Sequence, residues 1–204
     1  ESKRREAAEA RLAVIEALPQ WSTPRAGRPA FPVRARFVVM YETALRPATL
    51  DALSVPEHWT RGATSLRITD DIDKARFGRE LPLSNRAQAA LASVAQPKGL
   101  VFGSHDYRPQ LVKAAKAKLA AQKRVTFCAY DLRHARLTEL AETGNLTGTQ
   151  YMAGHKRIST TAIYVRPGLK SARKVLDTVS ADPSSQTPAP ETYSGFVKQM
   201  GEDR

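Results

Sequence analysis

The chain has 204 residues, which suits one globular domain with tails, and its single cysteine, Cys128, excludes an internal disulfide and a cysteine-built metal site. Lysine and arginine outnumber aspartate and glutamate by 32 to 20, and the resulting net charge of +12 favours a polyanionic partner, most simply nucleic acid. The sequence has neither the run of about 18 apolar residues that a spanning helix needs nor a signal peptide, so no membrane partner is expected.

The first part of the chain has helical patterns separated by a loop. Residues 2–18 are rich in Ala, Glu and Arg and predict a charged helix; residues 1–20 are interpreted as a helical linker from a preceding domain. Prolines and a glycine over residues 21–32 predict a loop. A helix is expected through residues 37–45, and Pro47 suits the first turn of a short helix that ends near Leu53.

The pattern changes to strands between residues 54 and 83. Residues 65–69 alternate in the way a strand does, and residues 79–83 form a second candidate strand. The segment 70–78 between them is polar and charged, with Gly78 available for a turn. We therefore expect a small antiparallel sheet with an exposed hairpin.

The rest of the sequence predicts helices at residues 86–94, 109–122, 129–143, 147–152 and 159–164, followed by a Pro/Ser-rich linker at 181–190. Lys113, Lys116 and Lys123 fall roughly along one side of the 109–122 helix, which indicates either a solvated face or a DNA-binding surface. A second basic cluster includes Lys156 and Arg157 and crowds one short region. Solvation alone explains this second cluster less well.

Two strings in the last third of the chain belong together. One is AYDLRH, which ends at His134, and the other is MAGHKRISTTAIY, which ends at Tyr164. They resemble the two C-terminal boxes of the tyrosine recombinases, the phage-integrase family: an LRH helix, then a GH…ISTT.IY segment that ends in the nucleophilic tyrosine. The intervals also agree with the family, since His155 lies 22 residues after Arg133 and Tyr164 lies 9 residues after His155.

Two earlier elements extend the resemblance. The string TALRP at residues 43–47 looks like the family's TGLR box, with Arg46 as the first catalytic arginine. Lys74 lies eight residues before Pro82 of an LPLS string, where the family has its mobile hairpin lysine. Four elements in the right order make the resemblance specific.

The resemblance implies an α+β, mainly α, catalytic domain over residues 21–180, with a small antiparallel three-stranded sheet and a mobile β-hairpin. Residues 181–204 are expected to be a flexible linker and a C-terminal segment that packs on a neighbouring protomer. The implied partner is double-stranded DNA, bound by a homo-oligomer that is a tetramer on DNA. The implied location is cytoplasmic, on the nucleoid, in a protein of bacterial or phage origin.

The residue types suit cleavage of a phosphodiester by a protein nucleophile. Arg46 and Arg133 offer planar donor forks for phosphate, and His155 can bond the phosphate or move a proton. Lys74 is expected to act as general acid on the leaving oxygen, and cationic neighbours are expected to help the Tyr164 hydroxyl ionise. A 3′-phosphotyrosyl link conserves bond energy and the arginines neutralise charge, so no ATP, metal or other cofactor is expected.

The chain departs from the family pattern at two positions. Tyr130 stands where the family usually has histidine, and a phenol is the poorer base near neutral pH. Thr49 stands where an acidic residue is common, whereas His134 follows Arg133 as in the family, where it tends to be supportive. Two alternatives therefore stay open: a strand transferase like the hairpin telomere resolvases, some of which carry tyrosine at the position of Tyr130, and a catalytically silent DNA-binding protein with the same fold.

Overall fold

The computed structural model describes residues 2–24, 27, 29–119, 127–165, 168, 172–173 and 175–177, with side chains from residue 9 onwards. The chain divides into two compact units, Glu1–Arg166 and Pro167–Arg204. All the predicted catalytic residues belong to the first unit. In the second, the backbone N–H of Ala172 donates to the carbonyl of Gly168 (3.1 Å).

The first unit is mainly helical, as predicted. Its helices are α1 (Ser2–Glu16), α2 (Arg34–Thr43), α3 (Pro47–Ala52), α4 (Asn85–Val94), α5 (Arg108–Lys118), α6 (Ala129–Glu142), α7 (Leu146–Ala153) and α8 (Ile158–Ala162). Its strands are β1 (Ser54–Val55), β2 (Ser65–Ile68), β3 (Arg79–Pro82) and β4 (Gly99–Leu100). None of the helices in the described part of the chain is long and apolar enough to cross a membrane.

Helix α2 forms the centre of the core. Eight of its ten residues are buried, and it packs against α1, α3, α4 and α6. A helix that is buried on all sides needs apolar residues all round, which its FVVM run supplies. The end of α1 joins the same core, with Val14, Ile15 and Leu18 fully buried; the domain boundary at residue 20 stays a prediction.

Among the described residues the strands form two separate two-stranded antiparallel sheets, where one three-stranded sheet was expected. β1 pairs with β4, with Ser54 opposite Leu100 and Val55 opposite Gly99. After β1 the chain turns sharply, because Nδ1 of His58 accepts from the N–H of Ser54 (3.0 Å). The N–H of Arg67 then donates to the carbonyl of His58 (2.9 Å), which connects this turn with β2.

The second sheet is the predicted hairpin. β2 and β3 pair from Ser65 opposite Pro82 to Ile68 opposite Arg79, and the connecting loop contains Lys74. Side chains alternate between the two faces of a strand, so Arg79 points inward with Leu81. The alternation thus places an arginine in the interior at the base of the hairpin. The mobility of the hairpin stays a prediction.

Candidate active site

The junction between α2 and α3 positions Arg46. Helix α2 is capped by Ala44, which has a left-handed backbone (φ 54°); the TGLR box that this segment resembles has glycine there. An L-residue in this region costs about 1–2 kcal/mol, so the turn is held by its surroundings. Arg46 follows in an extended conformation and precedes Pro47, the first residue of α3.

The carboxylate of Asp73 joins the hairpin to this junction. It is 1% exposed, and its Oδ1 accepts from Nη1 of Arg46 (3.3 Å) and lies 3.3 Å from Nη1 of Arg79. Its Oδ2 accepts from the N–H of Ala75 (3.0 Å) and closes the turn that carries the exposed Lys74. One carboxylate therefore fixes two guanidinium groups and the start of the lysine loop.

Our sequence reasoning missed both members of the Asp73–Arg79 pair. Two signals were available: an acidic residue directly before the hairpin lysine, and the inward phase of β3 at Arg79. Burial lowers the pKa of the Arg79 guanidinium and Asp73 opposes that effect. Nε of Arg79 is buried without a hydrogen-bond partner among the described residues.

Arg133, on α6, is buried and ties the ends of two other helices together. Its Nη1 donates to the carbonyl of Ala44 at the end of α2, and its Nη2 donates to the carbonyl of Ala153 at the end of α7 (2.7 Å). Helix C-termini leave carbonyls unpaired and carry partial negative charge, so a cation is favoured there. Burial, followed by repulsion from Arg46, lowers the pKa of Arg133 to about 10, and the group stays charged near neutral pH.

His155 is a neutral partner of Arg133. Its Nε2 lies 3.3 Å from Nη2 of Arg133 and, because a guanidinium only donates, must be the acceptor. The ring proton is then on Nδ1, which donates to Oγ1 of Thr161 (2.9 Å). Burial and then the charges of Arg133 and Arg46 lower the pKa of His155 to about 4. Both ring nitrogens are thus engaged, and His155 orients Arg133.

Gly154 allows this close packing. It ends α7 with a left-handed backbone (φ 65°), and a Cβ at this position would lie 2.6 Å from the guanidinium of Arg79. Arg79 has little room to retreat, since its side chain is 1% exposed and Nη1 also donates to the carbonyl of Phe77 (2.9 Å). In the GH pair of the sequence, the glycine is therefore required by the close approach of Arg79, and the histidine that follows it is the partner of Arg133.

Tyr164 lies two residues after α8, against the same group of side chains. Its ring packs against the small cluster of Ala44, Leu137 and Ala153 and is nearly parallel to the ring of His155 (6.4 Å, 11°). Burial raises the pKa of its hydroxyl, and the opposing effect of Arg133 and Arg46 is smaller. The two arginines thus favour ionisation of this tyrosine, as expected, but burial outweighs them, and the sequence did not show the burial.

The structure also places the hydroxyl of Tyr164 within hydrogen-bonding distance of Nδ1 of His134 (2.9 Å). This contact was missed, because the position after the LRH arginine was interpreted only as supportive. Tyr130, one turn earlier on α6, is 49% exposed, and its hydroxyl makes no hydrogen bond to the described residues. The catalytic role of Tyr130 stays a prediction.

The predicted DNA-binding residues lie on the surface where they are described. Lys113 and Lys116 are exposed on α5, on the side away from the buried Leu111. Lys156 and Arg157 are exposed and directly follow His155. Lys123 lies outside the described residues, and contact of the other four with DNA stays a prediction.

We expect that replacing Asp73 with asparagine will lower the free energy of unfolding by about 3–5 kcal/mol, because the buried guanidinium of Arg79 and the partly buried one of Arg46 lose their counterion. Urea denaturation measures the change. Glu80→Gln, an exposed substitution on the same hairpin, is the matched control and should shift stability by no more than about 0.5 kcal/mol. Equal stability of the two variants would contradict the assigned role of Asp73.

The lowered pKa of His155 predicts a pH dependence of stability. Between the ordinary histidine value near 6.5 and about 4, the unfolded chain takes up a proton that the folded chain refuses. The stabilisation is therefore present above this window and is lost as the pH falls through it. NMR titration of the ring should give a midpoint near 4, and His155→Gln should lose less stability on acidification. A midpoint at the ordinary value would be inconsistent with this environment.

Comparison with known proteins agrees with this arrangement. Residues 16–169 match the Phage integrase family. The tyrosine recombinase XerC of Chromohalobacter salexigens is 33% identical over 160 residues, which cover 71% of this chain and 51% of that protein. The chain thus spans about half the length of this curated relative.

Three solved structures share the fold. The catalytic domain of bacteriophage HP1 integrase has a TM-score of 0.58 at 15% identity, covering 89% of this chain and 96% of that one. The Tn1549 transposon integrase in complex with transposon right end DNA gives 0.57 at 16% identity (72% and 59% covered), and the XerH recombinase bound to difH gives 0.56 at 18% (82% and 52%). With the family match over most of its length, the chain belongs to the phage integrase family of tyrosine recombinases, of which it contains the catalytic domain.

Proposed function

We propose that this chain is a site-specific DNA recombinase or integrase that cleaves and rejoins DNA strands through a covalent 3′-phosphotyrosyl intermediate, without metal or ATP. The observation that carries the proposal is the hydroxyl of Tyr164 beside the buried guanidinium group of Arg133 and the partly exposed one of Arg46, both of which act to lower its pKa. A hydroxyl nucleophile next to fixed cations is the arrangement that attack on a phosphodiester requires.

The charge of the site supports a phosphoryl-transfer reaction. Arg46, Arg79 and Arg133 contribute three positive charges and Asp73 one negative charge, and His155 is neutral, so the net charge is +2. A phosphodiester carries one negative charge, and attack by an oxyanion raises it to two. The site therefore stabilises the transition state more than the ground state, which is the requirement for catalysis.

Each residue has a role in the proposed reaction. The oxygen of Tyr164 attacks the phosphorus, while Arg46 and Arg133 neutralise the non-bridging oxygens. Lys74, exposed on the loop that Asp73 anchors, gives a proton to the leaving 5′-oxygen as the old bond breaks. A 5′-hydroxyl of another strand then reverses the step, which leaves the number of phosphodiester bonds unchanged.

The proposed partner is double-stranded DNA, bound by a homo-oligomer that forms a tetramer on two duplexes. The DNA-bound Tn1549 integrase and XerH structures share the fold and support a nucleic-acid partner. The C-terminal segment 181–204, proposed to pack on a neighbouring protomer, lies outside the described residues. We further propose that the protein works in the cytoplasm, on the nucleoid, where its DNA substrate lies.

A second candidate, a catalytically silent DNA-binding protein, is favoured by one observation. Tyr130 replaces the usual histidine and is half exposed without a hydrogen bond to the described residues. If the site depended on a base at position 130, the chain would bind DNA and not cleave it. A reaction like that of the hairpin telomere resolvases is the third alternative, and its product would be a closed DNA end.

Incubation with supercoiled or nicked DNA followed by a denaturing gel should reveal a protein–DNA adduct that Tyr164→Phe abolishes, because the substitution removes the attacking oxygen. Tyr107→Phe is the matched control: it removes a buried hydroxyl that donates to the carbonyl of Phe102 (3.1 Å), and the adduct should persist. Intact DNA binding without an adduct would favour the silent protein, and hairpin ends in the product would favour the telomere-resolvase reaction.

Neutralising Lys156 and Arg157 together should weaken binding to a random-sequence duplex and flatten its salt dependence. Each lost phosphate contact lowers the magnitude of the log Kd against log salt slope by about 0.9. Fluorescence anisotropy over a salt series measures both effects. Lys98→Ala, an exposed lysine between α4 and β4, is the control, and a double variant with an unchanged slope would place DNA elsewhere on the surface.

A further inference from the structure

The hydroxyl of Tyr164 has one hydrogen-bond partner within the described residues, the imidazole of His134. The distance from the hydroxyl oxygen to Nδ1 is 2.9 Å, and the two rings lie 5.7 Å apart and are tilted by 39°. His134 is exposed, and its backbone carbonyl accepts from Oγ1 of Thr138 (2.9 Å), as part of the regular helix face. The contact therefore joins the nucleophile to a base that is open to solvent.

The nucleophile needs such a base. Burial keeps its hydroxyl protonated more firmly than that of a free tyrosine, in spite of Arg133 and Arg46. Attack on phosphorus must transfer this proton to an acceptor, and a positioned side chain makes the transfer faster.

The other described groups of the site are poorer acceptors for this proton. The carboxylate of Asp73 is already bound by Arg46, Arg79 and the N–H of Ala75. His155 uses both ring nitrogens, one for Arg133 and one for Thr161. Guanidinium groups have no acceptor atom. The remaining candidate, Tyr130, is itself a phenol, which is a poorer base near neutral pH than an imidazole.

Helix α6 has its buried arginine and its exposed aromatic side chains on different sides. Arg133 points into the core, whereas Tyr130 and His134 are exposed. Because Tyr130 and His134 are four residues apart, they share one helix face. The histidine that the family pattern has at position 130 is missing here. An imidazole one turn further along the same face is in contact with the nucleophile instead.

We propose that His134 is a catalytic base that accepts the proton of Tyr164, an inference that rests on the proposed function. With its ring proton on Nε2, Nδ1 of His134 accepts the hydrogen bond. The O–H bond of Tyr164 breaks and its proton moves to Nδ1, while the tyrosine oxygen bonds to phosphorus. The bond from phosphorus to the 5′-oxygen breaks, and that oxygen takes a proton from Lys74. In religation the same protons return, so His134 gives its proton back to Tyr164.

The experiment compares His134→Ala with Lys74→Ala on two substrates. The probe is a nicked duplex with the sequence at which the wild-type protein forms its adduct on supercoiled plasmid, made with either oxygen or sulfur at the 5′-bridging position. A thiolate leaves without a proton, so the sulfur substrate should restore the cleavage rate of the Lys74 variant. The loss in the His134 variant, about 10²–10⁴-fold in the single-turnover rate, should be the same on both substrates.

Chemical rescue separates proton transfer from mere positioning. Because His134 is exposed, small azoles in the buffer can reach the space left in His134→Ala. The restored rate should rise with the basicity of the azole. The control is His105→Ala, which removes another exposed imidazole, stacked on Phe31 (4.3 Å). This variant should react like the wild type.

A DNA-free measurement covers the case in which a variant fails to fold. The ¹⁵N spectrum of the wild-type protein should show Nδ1 of His134 as unprotonated and hydrogen-bonded, and Tyr164→Phe should shift it. Undiminished cleavage by His134→Ala, rescue independent of azole basicity, or a protonated Nδ1 at the pH of cleavage would each overturn the proposal. Absence of any wild-type adduct would instead overturn the proposed function, and the inference with it.

Discussion

The carboxylate of Asp73 lies buried between the guanidinium groups of Arg46 and Arg79, and the geometry of the site follows from the cost of removing these charges from water. A buried charge is tolerated only when it is paired, and pairing holds the partners at fixed positions. Asp73 thereby connects three separate parts of the sequence: the α2–α3 junction, the hairpin loop and, through Arg79, the turn at Gly154. The lysine loop has a fixed anchor for the same reason.

Arg133 adds a second connection within the site. The left-handed residues Ala44 and Gly154 cap the C-termini of α2 and α7. The carbonyls of Ala44 and Ala153 at these termini accept from the guanidinium of Arg133. The helix termini need a donor, and the buried arginine needs acceptors, so each satisfies the other. Asp73 and these carbonyls do not neutralise the three arginines completely. Functional sites commonly keep such uncompensated charge at a cost in stability.

The environment of Tyr164 shows why neighbouring cations alone do not leave a tyrosine hydroxyl ionised. The ring must pack against Ala44 and His155 to be held in place, and the same packing removes water from the hydroxyl. Desolvation and attraction to the arginines therefore act in opposite directions, and desolvation is the larger effect. The hydroxyl therefore stays protonated in the free protein, and its hydrogen-bond partner among the described residues is His134 on α6.

The amino-acid sequence by itself determined the family, the mainly helical fold, the helices and the order of Arg46, Lys74, Arg133, His155 and Tyr164. These features depend on local periodicity and on motifs at fixed spacing, which can be recognised without knowing the fold. Only the tertiary structure decided that β1 pairs with β4, that Asp73 bonds Arg46 and Arg79, and that His134 contacts Tyr164. It also decided the direction in which the pKa of Tyr164 moves. The physical reason is the same in each case: pairing and burial depend on which distant segments meet and exclude water, and no local pattern contains that information.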